Sequence, residues 1–184
     1  MKSQEYKFEN YSLVSLRQQD IFLIKNWRNA QLDVLRQKNT LTNKNQKEYF
    51  KIRIVPTFTL TQPPQILFSY LLNNDCIGYG GLTNIDWDSK RAEMSFLVNP
   101  ERTLEKKMYE KDFGNYITLI NMVVFNDLQF NRLFTETYDM REIHISILEN
   151  CGFNLEGRLK QHVIINGNYI DSLIHGFLKE YYYV

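Results

Sequence analysis

The sequence lacks the features that would direct the chain to a membrane or a nucleic acid. It has no apolar run long enough to span a bilayer, and residues 1–6 lack the apolar core of a signal peptide. Its 22 basic and 21 acidic residues leave a net charge of +1, which gives no basic face for nucleic acid. We therefore expect a cytoplasmic protein that binds neither membranes nor nucleic acid.

Cysteine and histidine are also scarce. The two cysteines, Cys76 and Cys151, are expected to be buried thiols rather than a disulfide, since a mid-sized chain gains little from one bridge. Two Cys and three scattered His supply too few ligands for a metal site, so we expect no metal cofactor. No ordered Ser, His and Asp set indicates a hydrolase.

What is present is an ordinary globular composition, with 43% hydrophobic residues in 184, which predicts one domain over residues 1–184. Alternating and helical periodicities predict a mixture of strands and helices. The predicted strands are residues 11–16, 66–72, 76–85, 91–98, 131–138, 153–165 and 169–178. The predicted helices are residues 19–29, 42–54, 113–128 and 140–151, with a loop or ragged edge strand at 56–64 and a tail at 181–184 on the sheet edge.

Residues 131–153 organise the rest of the chain. The strand alternates, so Leu133 and Thr135 point one way and Phe134 and Glu136 the other. Asp139 is predicted as the N-cap of the following helix. Gly152 is predicted to end that helix, because glycine takes positive φ without strain. A tight turn at Asn166-Gly167 then predicts a closing hairpin.

This strand, helix and Gly152-Phe153 ending resemble the closing half of the GCN5-related N-acetyltransferase (GNAT) superfamily. The family consensus is Asn-x-x-Ala-x-x-x-Tyr-x-x-x-Gly-Phe. Here Arg141, His144 and Leu148 occupy the Asn, Ala and Tyr positions. Residues 155–162 extend the similarity to bacterial amino-sugar N-acetyltransferases of the pseudaminic acid pathway type. The resemblance implies an α/β fold with a central, mixed, mostly antiparallel sheet flanked by helices. It also implies a V-shaped split between strands 91–98 and 131–138.

The resemblance further implies acetyl-CoA as co-substrate. In the family, a bulge in the strand that corresponds to residues 91–98 offers free backbone N–H groups to the acetyl carbonyl and pantetheine, here at Leu97 or Val98. The N-terminus of the helix at 113 is expected to meet the pyrophosphate, since its free N–H groups attract an anion. Arg141 and Leu148 are expected along the pantetheine. The remaining expected cofactor contacts are Lys106, Lys111, Phe113, Gly114 and Asn115, with Lys107 as a further cation.

Acetyl transfer to an amine needs a neutral amine, a stabilised oxyanion and a protonated leaving thiolate. Glu93 is the first base candidate, against a structural salt bridge with Arg91, and Glu136 is the second. Since Leu148 cannot donate a proton, we assign the acid role to His144, or cofactor binding to His144 with Arg141. A structural His near the helix start is the alternative. Tyr138 is a third donor.

The acceptor is expected to be a small-molecule amine. The resembling sugar acetyltransferases carry a Trp-Arg-Asn like Trp27, Arg28 and Asn29, which with Tyr79 are expected to line the acceptor side. His162 is a further acceptor contact, or a structural His. The predicted function is N-acetylation of an amino sugar, nucleotide-linked, for surface polysaccharide biosynthesis. The alternatives are a protein N-terminal acetyltransferase, a longer acyl donor and a non-catalytic binding protein, and the apolar strands allow a homodimer.

Overall fold

A computed structural model describes residues 5–183 of the chain. Its eight strands are β1 Glu5–Phe8, β2 Tyr11–Ser15, β3 Ile66–Leu72, β4 Asp75–Asp86, β5 Arg91–Val98, β6 Arg132–Tyr138, β7 Asn154–Ile165 and β8 Asn168–Leu178. Its α-helices are α1 Ile21–Asn29, α2 Asn43–Tyr49, α3 Lys106–Asn121, α4 Glu142–Asn150 and α5 Lys179–Tyr182. Helices α2 and α3 each continue into a wider π-helical turn, at Phe50–Ile54 and Met122–Asp127.

The strands form one sheet in the order β1-β2-β3-β4-β5-β6-β8-β7. Neighbours pair antiparallel except for β5 and β6, which run parallel. The mixed, mostly antiparallel sheet expected from the sequence is therefore confirmed. Since β5 and β6 are adjacent and parallel, the long connection that contains α3 crosses one face of the sheet.

Two hydrophobic clusters cover the two faces of the sheet. The larger cluster packs α3 against the sheet, where Phe113 and Ile117 meet Phe68 and Met94. The smaller cluster joins α1 and the turn after α2 to the other face, through side chains such as Leu97. Strand alternation explains this division, because Met94 and Leu97 are an odd number of residues apart and so point to opposite faces.

The sequence prediction was wrong about where α3 begins. The helix starts at Lys106 rather than at residue 113. Apolar periodicity is clear only from residue 113 onward, yet Tyr109 and Asp112 are buried at a spacing of three and continue the inward face of the helix. The charged side chains between them lie on its exposed face. The predicted end of the helix at residue 128 is close to the observed end of the π-helical turn at Asp127.

Two smaller points need correction, and a third prediction is decided between its alternatives. Strand β1 was not predicted, and it forms the sheet edge beside β2. The described part of the tail forms the short helix α5 rather than a sheet edge, and Val184 lies outside the described residues. The segment at 56–64 is the loop rather than the ragged edge strand, and a 3₁₀ turn at Val55–Thr59 begins it.

The start of α4 was predicted wrongly, whereas its end was predicted correctly. Its N-cap is Arg141, without a side-chain cap, while the Asp139 carboxylate pairs with Arg158. At the other end Gly152 takes φ +89°, and the amides of Gly152 and Phe153 donate to the carbonyls of Glu149 and Leu148. This is the Schellman arrangement that a glycine at this position predicts. Both cysteines are free and half-buried, and no helix in the described range is long and apolar enough to cross a membrane.

Candidate active site

Strands β5 and β6 diverge and open a gap in the sheet. They pair only over Arg91–Glu93 and Arg132–Phe134, although both strands continue for several residues. The expected V-shaped split between these strands is therefore confirmed. It leaves the backbone of the second half of β5 without a neighbouring strand on one side.

Backbone groups of β5 alternate between its two neighbours. The carbonyl of Lys90 accepts from the amide of Asn131 at 2.8 Å, on the β6 side. The amide of Asn99 donates to the carbonyl of Ile77 on β4, also at 2.8 Å. Counting in steps of two from these bonds gives the residues whose N–H and C=O groups turn toward the gap. They are Met94, Phe96 and Val98.

Because of this alternation, the N–H groups of Leu97 and Val98, the two predicted donors on β5, point in opposite directions. The Leu97 amide turns toward β4, whereas the Val98 amide faces the gap and the Val98 carbonyl accepts from Gln31 Nε2 at 2.9 Å. The bulge expected within β5 is not there, because β5 pairs with β4 in continuous register from Glu93 to Val98. The register shift lies on β4, between Thr83 and Asp86. The gap therefore comes from the divergence of β6.

A cavity of about 630 Å³ opens beside this gap. Strands β5 and β6, helices α1, α2 and α4, and the segment after α1 contribute to its wall. It brings together eight of the predicted site residues: Arg28, Tyr79, Glu93, Leu97, Glu136, Tyr138, Arg141 and His144.

Glu93 lies at the base of the cavity and is 6% exposed. Its carboxylate accepts hydrogen bonds from Arg36 Nη2 at 2.7 Å and from Asn84 Nδ2 at 2.5 Å. The salt bridge with Arg91 does not form, because Arg91 pairs with Asp86 across the turn. Two donors therefore fix the position of the Glu93 carboxylate.

Arg36 also binds the second carboxylate of the cavity. Its Nη2 lies 2.6 Å from Oε2 of Glu136, so one guanidinium bridges strands β5 and β6 across their gap. His162 Nε2 lies 3.7 Å from the other oxygen of Glu136, at the outer side of the site. Sequence analysis missed Arg36 because it lies in an irregular segment, 57 residues from Glu93 and 100 from Glu136.

Of the three residues Trp27, Arg28 and Asn29, only Arg28 lines the cavity. Arg28 hydrogen bonds to the Tyr79 hydroxyl and donates to Gln37 Oε1 at 2.7 Å, and the side chains of Tyr79 and Gln37 line the cavity too. Asn29 holds the segment after α1 through the amide of Leu41 at 2.8 Å. Trp27 is buried in the smaller core cluster and does not line the cavity.

His144 lies where α4 faces α3. Its ring stacks on Phe113 at 4.1 Å between centroids, and its Nδ1 lies 2.7 Å from the hydroxyl of Tyr109. Burial lowers the pKa of His144 well below its usual value, and the charges of Arg141 and His175 lower it further. His144 is therefore a neutral imidazole at pH 7. Burial also raises the pKa of Tyr138, which lines the same cavity.

The start of α3 differs most from expectation. The Glu105 carboxylate accepts from the amides of Lys107 and Met108, at 3.0 and 2.6 Å, and so occupies the N-terminus of the helix. Lys106 pairs with Glu110 at 3.7 Å, and Lys111 with Glu9 at 3.8 Å.

Because α3 begins at Lys106, the predicted contacts at Phe113, Gly114 and Asn115 lie about two turns inside the helix, away from its free amides. Phe113 stacks on Phe96 at 4.5 Å between centroids. Leu148 is fully buried in the larger core cluster rather than on the cavity wall.

The whole site lies within a segment that matches a known family. A family model described as an acetyltransferase (GNAT) domain matches residues 13–174. The chain belongs to the GNAT acetyltransferase family. As a GNAT protein it is an acyltransferase enzyme, and acetyl-CoA is its co-substrate.

Solved structures of GNAT enzymes share the fold. Spermidine N-acetyltransferase from Vibrio cholerae, in complex with CoA and spermine, aligns with a TM-score of 0.81 at 19% identity over 96% of this chain and 100% of that one. Mutant forms of the Vibrio cholerae spermidine/spermine N-acetyltransferase SpeG give 0.77 at 20% identity, with 96% and 98% covered. A dodecameric structure of the Vibrio cholerae enzyme gives 0.77 at 19% identity, with 95% and 97% covered. A search of curated proteins finds no match.

The GNAT site fits the thioester end of acetyl-CoA better than its diphosphate end. The backbone N–H groups of Phe96 and Val98 and the carbonyl of Phe96 face the gap without a strand partner, which suits an arm that carries amides and a carbonyl. At the start of α3, by contrast, Glu105 places a carboxylate where a diphosphate would bind. Among residues 5–183, no three His, Cys, Asp or Glu side chains gather as metal ligands.

Proposed function

We propose that this enzyme transfers the acetyl group of acetyl-CoA to the primary amine of a nucleotide-linked amino sugar. The observation that carries the proposal is the charge of the cavity wall. Three arginines, Arg28, Arg36 and Arg141, face two carboxylates, Glu93 and Glu136, and His144 is neutral. A net positive wall attracts the diphosphate of a sugar nucleotide and opposes an acceptor with several positive charges.

Neutral polar groups support a sugar in the same space. Gln37, Asn45 and Gln46 line the cavity together with Tyr49 and Tyr79. Amide groups donate to and accept from hydroxyls, and aromatic rings offer the flat surface on which a sugar or a base packs. The Arg28 guanidinium is directed by Tyr79 and Gln37, which makes it the best-oriented cation for a phosphate.

Acetyl-CoA supplies an activated thioester carbonyl and a thiolate leaving group. Glu93 holds the amine and accepts the proton that its nitrogen loses on attacking the carbonyl carbon. The backbone N–H of Val98 donates to the oxyanion, since it faces the gap without a strand partner. His144 donates a hydrogen bond to the departing sulfur, and Tyr138 is the alternative donor.

A second candidate acceptor is a polyamine. The solved neighbours are spermidine N-acetyltransferases, and the arginine held between Glu93 and Glu136 supports a site in which an ammonium group takes the place of that guanidinium. Arg36 is 54% exposed at its side chain and comes from a segment outside the regular elements, so its displacement costs little packing.

A panel of acceptors tests the proposal through the release of CoA thiol. The panel contains a UDP-linked amino sugar, the same free amino sugar, spermidine and a peptide with a free α-amino group. We expect the highest kcat/KM for the UDP-linked sugar. Arg28→Gln should lower that value about tenfold, as expected for the loss of one charge-assisted contact, and leave the free sugar nearly unchanged.

Preference for spermidine would select the second candidate, and preference for the peptide would select an N-terminal acetyltransferase. The dodecameric relative supports the further proposal that this chain assembles from several copies. Light scattering after size-exclusion chromatography would measure the number of copies.

A further inference from the structure

A hydrogen-bonded chain leads from the half-buried Arg141 through the buried Tyr109 to the buried His144. Arg141 Nη2 lies 3.2 Å from the Tyr109 hydroxyl, and the same hydroxyl lies 2.7 Å from His144 Nδ1. Tyr109 belongs to α3, whereas the other two residues lie at the start of α4. His144 lines the cavity and Tyr109 does not, so the Nδ1 edge of the ring faces α3.

The chemistry of these groups determines where each proton lies. A guanidinium can only donate, so the Tyr109 oxygen accepts from Arg141. The single phenol proton is then directed to Nδ1, which must be the accepting nitrogen. A neutral imidazole carries one proton, and it is left on Nε2. Stacking on Phe113 at 13° between ring planes keeps the ring from turning over.

We propose that Tyr109, directed by Arg141, is a positioning residue that fixes His144 as the Nε2–H tautomer, so that the ring presents a donor to the acyl-transfer cavity. The inference rests on the acetyltransferase function proposed above, and it explains how the enzyme works with Leu148 buried in the core. Without Tyr109, no hydrogen bond from the described residues would select one tautomer, because the bond to Tyr109 is the one that reaches the ring.

The proton transfers balance. The C–S bond breaks, and the thiolate takes the Nε2 proton as Nδ1 receives the phenol proton. Nδ1 then returns that proton to the phenolate, which lies next to the positive charge of Arg141, while Nε2 takes a proton from water in the cavity, so the Nε2–H tautomer is restored. Glu93 releases to water the proton that the amine lost, so no net proton is consumed. Burial raises the pKa of Tyr109 while Arg141 lowers it, which limits the cost of the phenolate.

The test reads the tautomer directly in the protein without acetyl-CoA. Long-range ¹H–¹⁵N correlation spectra distinguish a protonated Nε2 from a protonated Nδ1, and the chain has only three histidines to assign. His162→Gln and His144→Gln assign the signals. We expect His144 to be neutral at pH 7 with its proton on Nε2. A proton on Nδ1 would overturn the proposal.

Tyr109→Phe removes the hydroxyl and keeps the stacked ring. We expect the Nδ1 resonance of His144 to shift and kcat to fall about tenfold, with the KM for acetyl-CoA little changed, because the acid loses its orientation. Tyr70→Phe is the matched control, since it removes another buried hydroxyl that bonds to α3 but lies away from His144. Its His144 spectrum and kcat should equal those of the unaltered enzyme.

An unchanged Nδ1 resonance and kcat in Tyr109→Phe would also overturn the proposal. The two failures can be told apart. If the unaltered chain acetylates no amine of the panel, the proposed function and the proton transfer both fail. The tautomer is still read from the spectrum alone, whatever the activity.

Discussion

At the scale of single residues, the two carboxylates of the cavity differ in how they are held. Glu93 is nearly inaccessible and has two donors, Arg36 and Asn84, whereas Glu136 shares Arg36 and lies farther out. We expect Glu93→Gln to lower kcat about 100-fold, the lower end for loss of a general base, and Glu136→Gln to lower it less than about tenfold. Steady-state kinetics with saturating acetyl-CoA measures both. If Glu136→Gln lowered kcat more than Glu93→Gln, Glu136 rather than Glu93 would be the general base.

A second residue, Asp112, matters for stability rather than for chemistry. Its side chain is fully buried and accepts from Arg102 at 2.6 and 2.9 Å and from the Tyr11 hydroxyl at 2.9 Å. Asp112→Ala strands a partly buried guanidinium, and loss of such a partner costs about 3–5 kcal/mol of unfolding free energy. Urea unfolding measures the change.

The control for Asp112 is the exposed pair of Asp86 and Arg91. Asp86→Asn should leave the urea midpoint unchanged within error, because exposed ion pairs are screened by solvent. A loss below about 1 kcal/mol in Asp112→Ala would mean that water replaces the carboxylate at Arg102.

Single residues also show what sequence alone could provide. Glu93, Glu136, Tyr138 and His144, the catalytic candidates of the sequence, line one cavity, and their catalytic roles stay predictions. Their partners were not predicted. The contacts of Arg36 and of Tyr109 join segments far apart in sequence, and such pairs depend on how the sheet and helices pack rather than on any local pattern.

At the scale of elements, the start of α3 carries the clearest consequence. Two backbone amides at the start of the helix could donate to the diphosphate of acetyl-CoA, but they already donate to the Glu105 carboxylate. We expect Glu105→Gly to lower the Kd for acetyl-CoA roughly fivefold, about 1 kcal/mol for removing one negative charge from a helix N-terminus. Glycine also remains an acceptable N-cap residue. Calorimetric titration measures the change.

Two controls isolate the diphosphate. Acetyl-pantetheine lacks that group, so its Kd should be the same for both proteins. Glu110→Gln removes an exposed charge from the same helix, beside Lys106, and should change the Kd for acetyl-CoA much less. Equal gains for acetyl-CoA and acetyl-pantetheine would mean that Glu105 acts on the helix as a whole.

The start of α3 was missed because most residues of its first two turns are charged. Glu, Lys and Met at positions 105–112 are good helix formers, but apolar side chains recur at helical spacing only from residue 113 onward. The buried spacing of Tyr109, Asp112 and Phe113 becomes visible only against the sheet that covers it. By contrast, the end of α4 was predicted correctly, since a glycine with positive φ acts within its own turn.

At the scale of the whole molecule, the divergence of β5 and β6 follows from topology. Among the strands of residues 5–183, the one parallel pair is β5 and β6, near the middle of the sheet, and it separates after three residues in register. A resemblance in residues 131–153 was enough to predict this split, because the strand and helix that form one side of it are adjacent in sequence. The occupant of the cavity could not be predicted in the same way, since its wall comes from many separate segments between Leu16 and His144.

The open gap predicts that acetyl-CoA stabilises the whole fold. An unpaired half of β5 leaves backbone groups that a bound pantetheine arm would satisfy in the folded state alone. At 100 times its Kd, a ligand that binds only the folded state adds about 2.7 kcal/mol. For a chain of this length each kcal/mol raises Tm by about 2–4 °C. Differential scanning calorimetry should therefore show a rise with acetyl-CoA, and a smaller one with an equal concentration of adenosine 3′,5′-bisphosphate, which lacks the arm. An equal rise in Tm with both ligands would mean that the nucleotide end supplies the binding energy, and that the pantetheine arm does not bind in the gap.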